Sequence, residues 1–265
     1  MAEVESPDAM RRRDFIKMVG GAGVWPSAAR AQQRDPAGTS EIYRIELRHR
    51  AAANESIREK HDKFMQALAR HAPPWGLRGR EIPPAPDVAP GNLSAVVTLR
   101  GLLATGEMSY VRYALRSERY LRDNAQYDDY AIIAFSSGGA ERLRALFHEV
   151  LPAYVEAFDC YRATIHDLDI QMADWKWVVE LSNSTGRDVD GRDGVYRIHP
   201  GNYFDGELCQ RAFGAAPATI IERLQGKVEK VSALGDGVLL ACNSAIPLPR
   251  EEYEKMDARV RSLLK

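Results

Sequence analysis

Three groupings carry the residue types that acid–base or nucleophilic chemistry needs. His166 is followed by Asp167 and Asp169, and His199 by Asp205 and Glu207. An imidazole beside a carboxylate can move a proton or bind a metal, because its pKa lies near neutrality. Each grouping falls at the end of a predicted strand, where open α/β sheets place their sites. Ser137 lies in Ser136-Ser137-Gly138-Gly139, between a predicted strand and a predicted helix. Ser137 and Gly139 supply half of the Gly-x-Ser-x-Gly nucleophile elbow, with Phe135 in the first glycine's place. The candidate catalytic set is therefore His166, Asp169, His199 and Ser137. The competing reading makes the histidines hydrogen-bonded interior groups and the serine stretch a helix N-cap.

Other groupings point to binding. Trp175 and Trp177 stand two apart in a predicted strand and could floor a groove. Tyr113 and Arg116 belong to a stretch where Tyr110, Tyr113, Tyr120, Tyr127 and Tyr130 interleave with Arg112, Arg116, Arg119 and Arg122. Such pairs could stack on single-stranded nucleic acid, but Asp123, Asp128 and Asp129 weaken that field. Tyr and Arg are also enriched at protein interfaces. The binding candidates are thus Trp175, Trp177, Tyr113 and Arg116, with a protein as the expected partner and no nucleic acid. Asp188, Asp190 and Asp193 crowd one turn, yet Arg192 and Asp193 occupy the fifth and sixth places of a calcium loop counted from Asp188. A solvated turn is expected there, with no metal and no cofactor.

The elements that must position these residues follow from periodicity. Residues 42–47, 94–99, 110–116, 130–135, 161–166, 175–181 and 195–198 read as strands. Residues 51–71 and about 140–158 read as amphipathic helices, the second interrupted by Pro152. Residues 72–92 hold six of the fourteen prolines and read as a stiff connector. Residues 182–194 read as a turn-rich loop, and short helices are expected over 204–213 and 218–225, Pro217 opening the second. Leu234-Gly235-Asp236-Gly237 joins strands at 228–233 and 238–242 as a hairpin, and a last helix runs from Pro249.

Composition narrows the classes. The 265 residues carry 36 Lys plus Arg against 37 Asp plus Glu, a formal charge of −1, and are 45% apolar. That balance argues against a polyanion binder. No apolar run reaches the ~20 residues of a membrane span, so no stable membrane anchor is expected. Cys160, Cys209 and Cys242 form no CxxC and no disulfide framework.

The N-terminus carries an address. Arg12-Arg13-Asp14-Phe15-Ile16-Lys17 resembles the bacterial twin-arginine (Tat) export signal, whose elements here are Arg12, Arg13, Phe15 and Lys17. A weakly apolar stretch and Ala29-Arg30-Ala31 follow, the latter a small-x-small cleavage pattern at Ala29 and Ala31. The leader is similar to those of bacterial ABC-transporter substrate-binding proteins. The resemblance implies recognition by the Tat translocase and a periplasmic or secreted mature chain from Gln32; without a working leader the protein would be cytoplasmic. Glu3, Glu5 and Asp8 suit an export n-region poorly, so Met10 is an alternative start. Removing residues 1–31 leaves 31 basic and 33 acidic residues, so the balance persists.

The expected organisation is a signal peptide over 1–31, a linker over 32–40, an α+β domain over 41–170 and a smaller α+β unit over 171–265. The fold class is α+β, with mixed or antiparallel sheets and flanking helices. A β-α-β-β-α-β order over 41–168 would make the first unit ferredoxin-like. From Gly194-Val195-Tyr196-Arg197-Ile198 through Gly237-Val238-Leu239-Leu240 to the closing helix, the body is similar in style to small α+β immunity proteins of bacterial toxin systems. That likeness implies a non-enzymatic protein-binding module. The alternatives are the exported hydrolase and a small periplasmic ligand-binding protein.

Overall fold

The computed structural model describes residues 42–105, 109–121, 127–136 and 140–265. The leader residues Arg12, Arg13, Phe15 and Lys17, the cleavage residues Ala29 and Ala31, and Ser137 lie outside them. Among the described residues, eight strands form one antiparallel sheet in the order β2-β3-β4-β1-β5-β6-β8-β7. They are β1 Ile42–His49, β2 Ser94–Thr98, β3 Tyr110–Ala114, β4 Asp129–Ser136, β5 Arg162–Asp167, β6 Gly201–Phe204, β7 Lys230–Leu234 and β8 Gly237–Ala241. The helices are α1 Ile57–Arg70, α2 Glu118–Leu121, α3 Ala140–Ala145, α4 Leu151–Phe158, α5 Leu168–Thr185, α6 Gly206–Phe213, α7 Pro217–Leu224 and α8 Arg250–Leu264. The protein is α+β, and among the described residues no helix is long and apolar enough to cross a membrane.

The expected ferredoxin-like order is embedded in this sheet. β1, α1, β3, β4, α4 and β5 follow one another, and their strands lie in the order β5-β1-β4-β3. β2 is added outside β3, and β6, β8 and β7 extend the sheet beyond β5. The boundary expected at residue 170 is therefore not a domain boundary: β5 pairs with β6 over Arg162↔Phe204 to Ile165↔Gly201, and residues from both sides share one core.

β1 sits at the centre because it alternates two kinds of surface. Tyr43, Ile45 and Leu47 are fully buried on the face covered by α1 and α4, and Ile45 stands between Ile133 of β4 and Ile165 of β5. Phe64 of α1 meets Phe158 of α4 at 4.8 Å between ring centroids. Burying one such side chain contributes about 1.5–3 kcal/mol. Arg44, Glu46 and Arg48 alternate onto the opposite face, beside Tyr130 and Ile132 of β4 and Arg162, Thr164 and His166 of β5. One face of the sheet is thus an apolar core and the other a layer of charge.

Two expected elements are corrected. Residues 175–181 are not a strand but part of the eighteen-residue α5. The Asp167 side chain caps its N-terminus by accepting from the Ile170 amide at 3.1 Å, and Gly186, left-handed at φ 69°, ends it. Residues 195–198 take no regular structure; Arg197 and the Ile198 amide are held by Asp257 of α8. The interruption at Pro152 takes a specific form, a π turn over Leu146–Val150 between α3 and α4. Proline offers no N–H to the carbonyl four residues earlier and its ring crowds that oxygen, so the ladder widens just before it. The proline-rich connector is tied down: Trp75 and Leu77 are buried, and Tyr154 donates to the Trp75 carbonyl at 2.7 Å.

Candidate functional site

His166 and His199 come together, but inside the protein. Their ring centroids lie 5.2 Å apart, and the residues are 1% and 5% exposed. The hydrogen-bond network fixes the His166 tautomer. Gln171 donates through Nε2 to Glu46 at 3.1 Å, so its Oε1 must accept from His166 Nε2–H at 3.0 Å. Nδ1 then accepts from the Thr164 hydroxyl at 2.9 Å. His199 Nδ1 shares a hydrogen bond of 2.6 Å with the Tyr253 hydroxyl. Burial pushes His166 down to about 4, and burial with the neighbouring His166 pushes His199 well below the usual imidazole range. Both are neutral interior groups near pH 7. Asp169 lies in the first turn of α5, and Gln171 takes the place next to His166 that the sequence spacing assigned to it. The His166, Asp169 and His199 candidates therefore do not assemble a solvent-facing acid–base centre.

Glu46 shows how the charge layer is closed. Burial raises its carboxyl, but Arg48, bonded through Nε at 2.6 Å, together with His166 and Arg162 holds it down at about 2. Arg48 and Arg112 stack on Tyr130, their guanidinium carbons 5.0 and 4.8 Å from the ring centroid. In the turn after α5, Arg48 donates to the Asp190 carbonyl at 2.9 Å and Arg162 to its carboxylate at 2.6 Å. Asp188 accepts from the Arg192 amide at 2.7 Å, and Arg211 pairs with Asp193 at 2.9 Å.

A second knot lies under α1. His49, Glu55 and Asp129 bring potential ligand atoms within 4.8 Å of one another. Arg116 already holds Asp129 with two bonds of 2.8 and 2.7 Å, Asp129 also accepts from the Ala114 amide, and His49 Nε2 lies 2.9 Å from Glu55. Lys60 lies 3.8 Å from Glu55. With two permanent cations facing the carboxylates, the group is a salt-bridge knot rather than a cation cage. Burial raises the Glu55 carboxyl, but the bond and charge of His49, the Ala52 amide and Lys60 together hold it at about 2.

Two binding candidates are corrected by burial. Tyr113 is fully buried on the helix-covered face, its hydroxyl 3.1 Å from His61 Nδ1, and Arg116 is spent on Asp129. The tryptophans behave differently. They share α5, not a strand, and Trp177 is 57% exposed with Lys176 5.5 Å from its ring. In α5 only Leu168, Ile170 and Asp174 are buried. Asp174 is held by Arg197, with one bond at 2.7 Å. From Trp175 to the end of the helix every residue is exposed or half-buried, and Trp177 and Leu181 lie one turn apart. Met172 is exposed as well. Sequence spacing missed the helix because a half-projecting helix shows no continuous apolar stripe; the cap at Asp167 and Gly186 was the available signal.

No protein-family model matches the chain, and no curated protein matches it. Among solved structures, a Pseudomonas aeruginosa T6SS protein is 10% identical, with 86% of this chain and 74% of that chain covered at a TM-score of 0.41.

Proposed function

We propose that this chain is a non-enzymatic protein-binding module of the immunity type, with α5 as its contact element. The observation that carries the reading is the second half of α5. It presents Trp177, Leu181 and half-buried Trp175, Val178 and Val179, with no buried residue. A helix with large apolar side chains and no internal partner is the form an interface takes before it is covered. Lys176 and Glu180 offset each other, so the surface favours protein over polyanion. The neutral, enclosed histidines weigh against the hydrolase reading. The twin-arginine leader supports a site of action in the periplasm or outside the cell.

The test is affinity purification of the full chain from its source cell, beside a Trp177→Asp/Leu181→Asp variant. The expected result is one stoichiometric protein partner with the native chain and its loss with the variant, while both unfold at the same urea concentration. Equal recovery with both, or no stoichiometric partner with either, refutes the reading.

A further inference from the structure

We infer that the outer edge of β2 is a second contact site, which takes an extended protein segment as an added antiparallel strand with its acidic N-terminal end beside Arg80 and Arg100. The inference deepens the protein-binding reading and rests on it. Among the described residues β2 is the last strand on its side of the sheet. Its register with β3 runs from Ser94↔Ala114 to Thr98↔Tyr110 without a bulge. The bonds that continue this ladder, Leu115 N–H to the Leu93 carbonyl and Leu99 N–H to the Ser109 carbonyl, show which residues face inward. Residues 93, 95, 97 and 99 bond to the β3 side, so Ser94, Val96 and Thr98 aim their amides and carbonyls outward. Val96 is 54% exposed at the middle of that edge.

Exposed edges are ordinarily guarded by a charge, a proline or a bulge within the strand. Ser94-Ala95-Val96-Val97-Thr98 has none of these. The opposite edge differs: β7 begins with Lys230 and is packed by α7. An unguarded row of outward donors and acceptors is the acceptor side of strand addition, where main-chain bonds supply affinity and flanking groups supply selectivity.

Charge selects the occupant. The strand itself is uncharged, while Arg100 follows its C-terminal end and is exposed. Arg80 lies against the next residue: a Cβ at Gly101 would come 3.3 Å from its Cβ and Cγ. Arg78 and Arg80 are both exposed, and among the described residues Glu81 leaves this end positive. An antiparallel strand begins where β2 ends, so its first residues meet these arginines. Carboxylates there gain, and lysines there are repelled.

The test uses two synthetic seven-residue peptides. One begins with aspartate and glutamate and continues as alternating threonine and valine; the other begins with two lysines. Binding is followed by fluorescence anisotropy on the full chain, and hydrogen exchange reads the amides of Ser94, Val96 and Thr98. The acidic peptide should bind at least about tenfold more tightly and slow exchange at those three amides. Val96→Pro removes the central outward donor, which β3 does not use, and should abolish binding. Should that variant fail to fold, Arg80→Glu/Arg100→Glu serves instead and should invert the preference toward the lysine peptide. Equal binding of both peptides, no binding of either, or binding unchanged by these variants overturns the inference. So does self-association of the native chain that Val96→Pro abolishes, because a second copy then fills the edge. Trp177→Asp should leave peptide binding intact. Loss of the α5 partner with retained peptide binding, or the reverse, therefore separates failure of the one proposal from failure of the other.

Discussion

Replacing His166 by glutamine should remove a defined part of the protein's acid sensitivity. The imidazole titrates near 6.5 in an unfolded chain and, pushed down by burial, at about 4 in the folded one. A group with a depressed folded pKa that is neutral when deprotonated stabilises the fold above its unfolded pKa. That stabilisation is lost as pH falls from 6.5 toward 4, because the unfolded chain takes up the proton first. Between pH 7.5 and pH 5 the loss from His166 alone is about 2 kcal/mol. His199 shifts in the same direction and adds to the loss. The assay is urea unfolding of the native chain and of His166→Gln at both pH values. The variant gives up bonds to Thr164 and Gln171 and starts lower, so the informative quantity is each protein's difference between the two conditions. The native chain should lose about 2 kcal/mol more than the variant on acidification. Equal losses would show that His166 is not held neutral, and the account of the charge layer would fail.

Arg116→Leu should cost about 3–5 kcal/mol in urea unfolding, because it leaves the fully buried Asp129 carboxylate without its cation. Gly237→Ala should destabilise by more than about 2 kcal/mol in the same assay: its Cβ would stand 2.3 Å from the Phe204 carbonyl, backbone that β6–β8 pairing holds in place. Cys160, Cys209 and Cys242 are buried, and burial pushes Cys209 up to about 12 and the others further, so iodoacetamide followed by mass spectrometry should find all three unlabelled until the chain is unfolded.

What could be read in the sequence was what local rules decide. β1 to β5 announce themselves by alternation or by continuous apolar runs. The hairpin at Gly235 is set by a glycine that the structure places at φ 56°. The helix of Pro217 follows from proline at its first turn. Trp175 and Trp177 misled because two residues of spacing cannot separate strand from helix, and the decisive residues, Asp167 and Gly186, stand at the ends. The site was less legible for a different reason. Gln171 meets Glu46 across 125 residues of chain because α5 packs on β1, and Arg48 meets Asp190 across 142. Such pairs are products of sheet order, which spacing does not encode. Nor does residue type tell a spent arginine such as Arg116 from an exposed one such as Arg100.

The central place of β1 sets the tempo at which this protein becomes itself. Its two neighbours, β4 and β5, lie roughly 80 to 125 residues further along the chain. The middle of the sheet closes only after Asp167 is available, and the earliest of these strands waits longest for company. Folding dominated by such distant pairings is slow, in the millisecond-to-second range typical of non-local β topologies. During that wait Ile42, Ile45 and Leu47 are open to the wrong neighbour, so the yield of native protein should depend on how dilute, or how chaperoned, the newly made chain is.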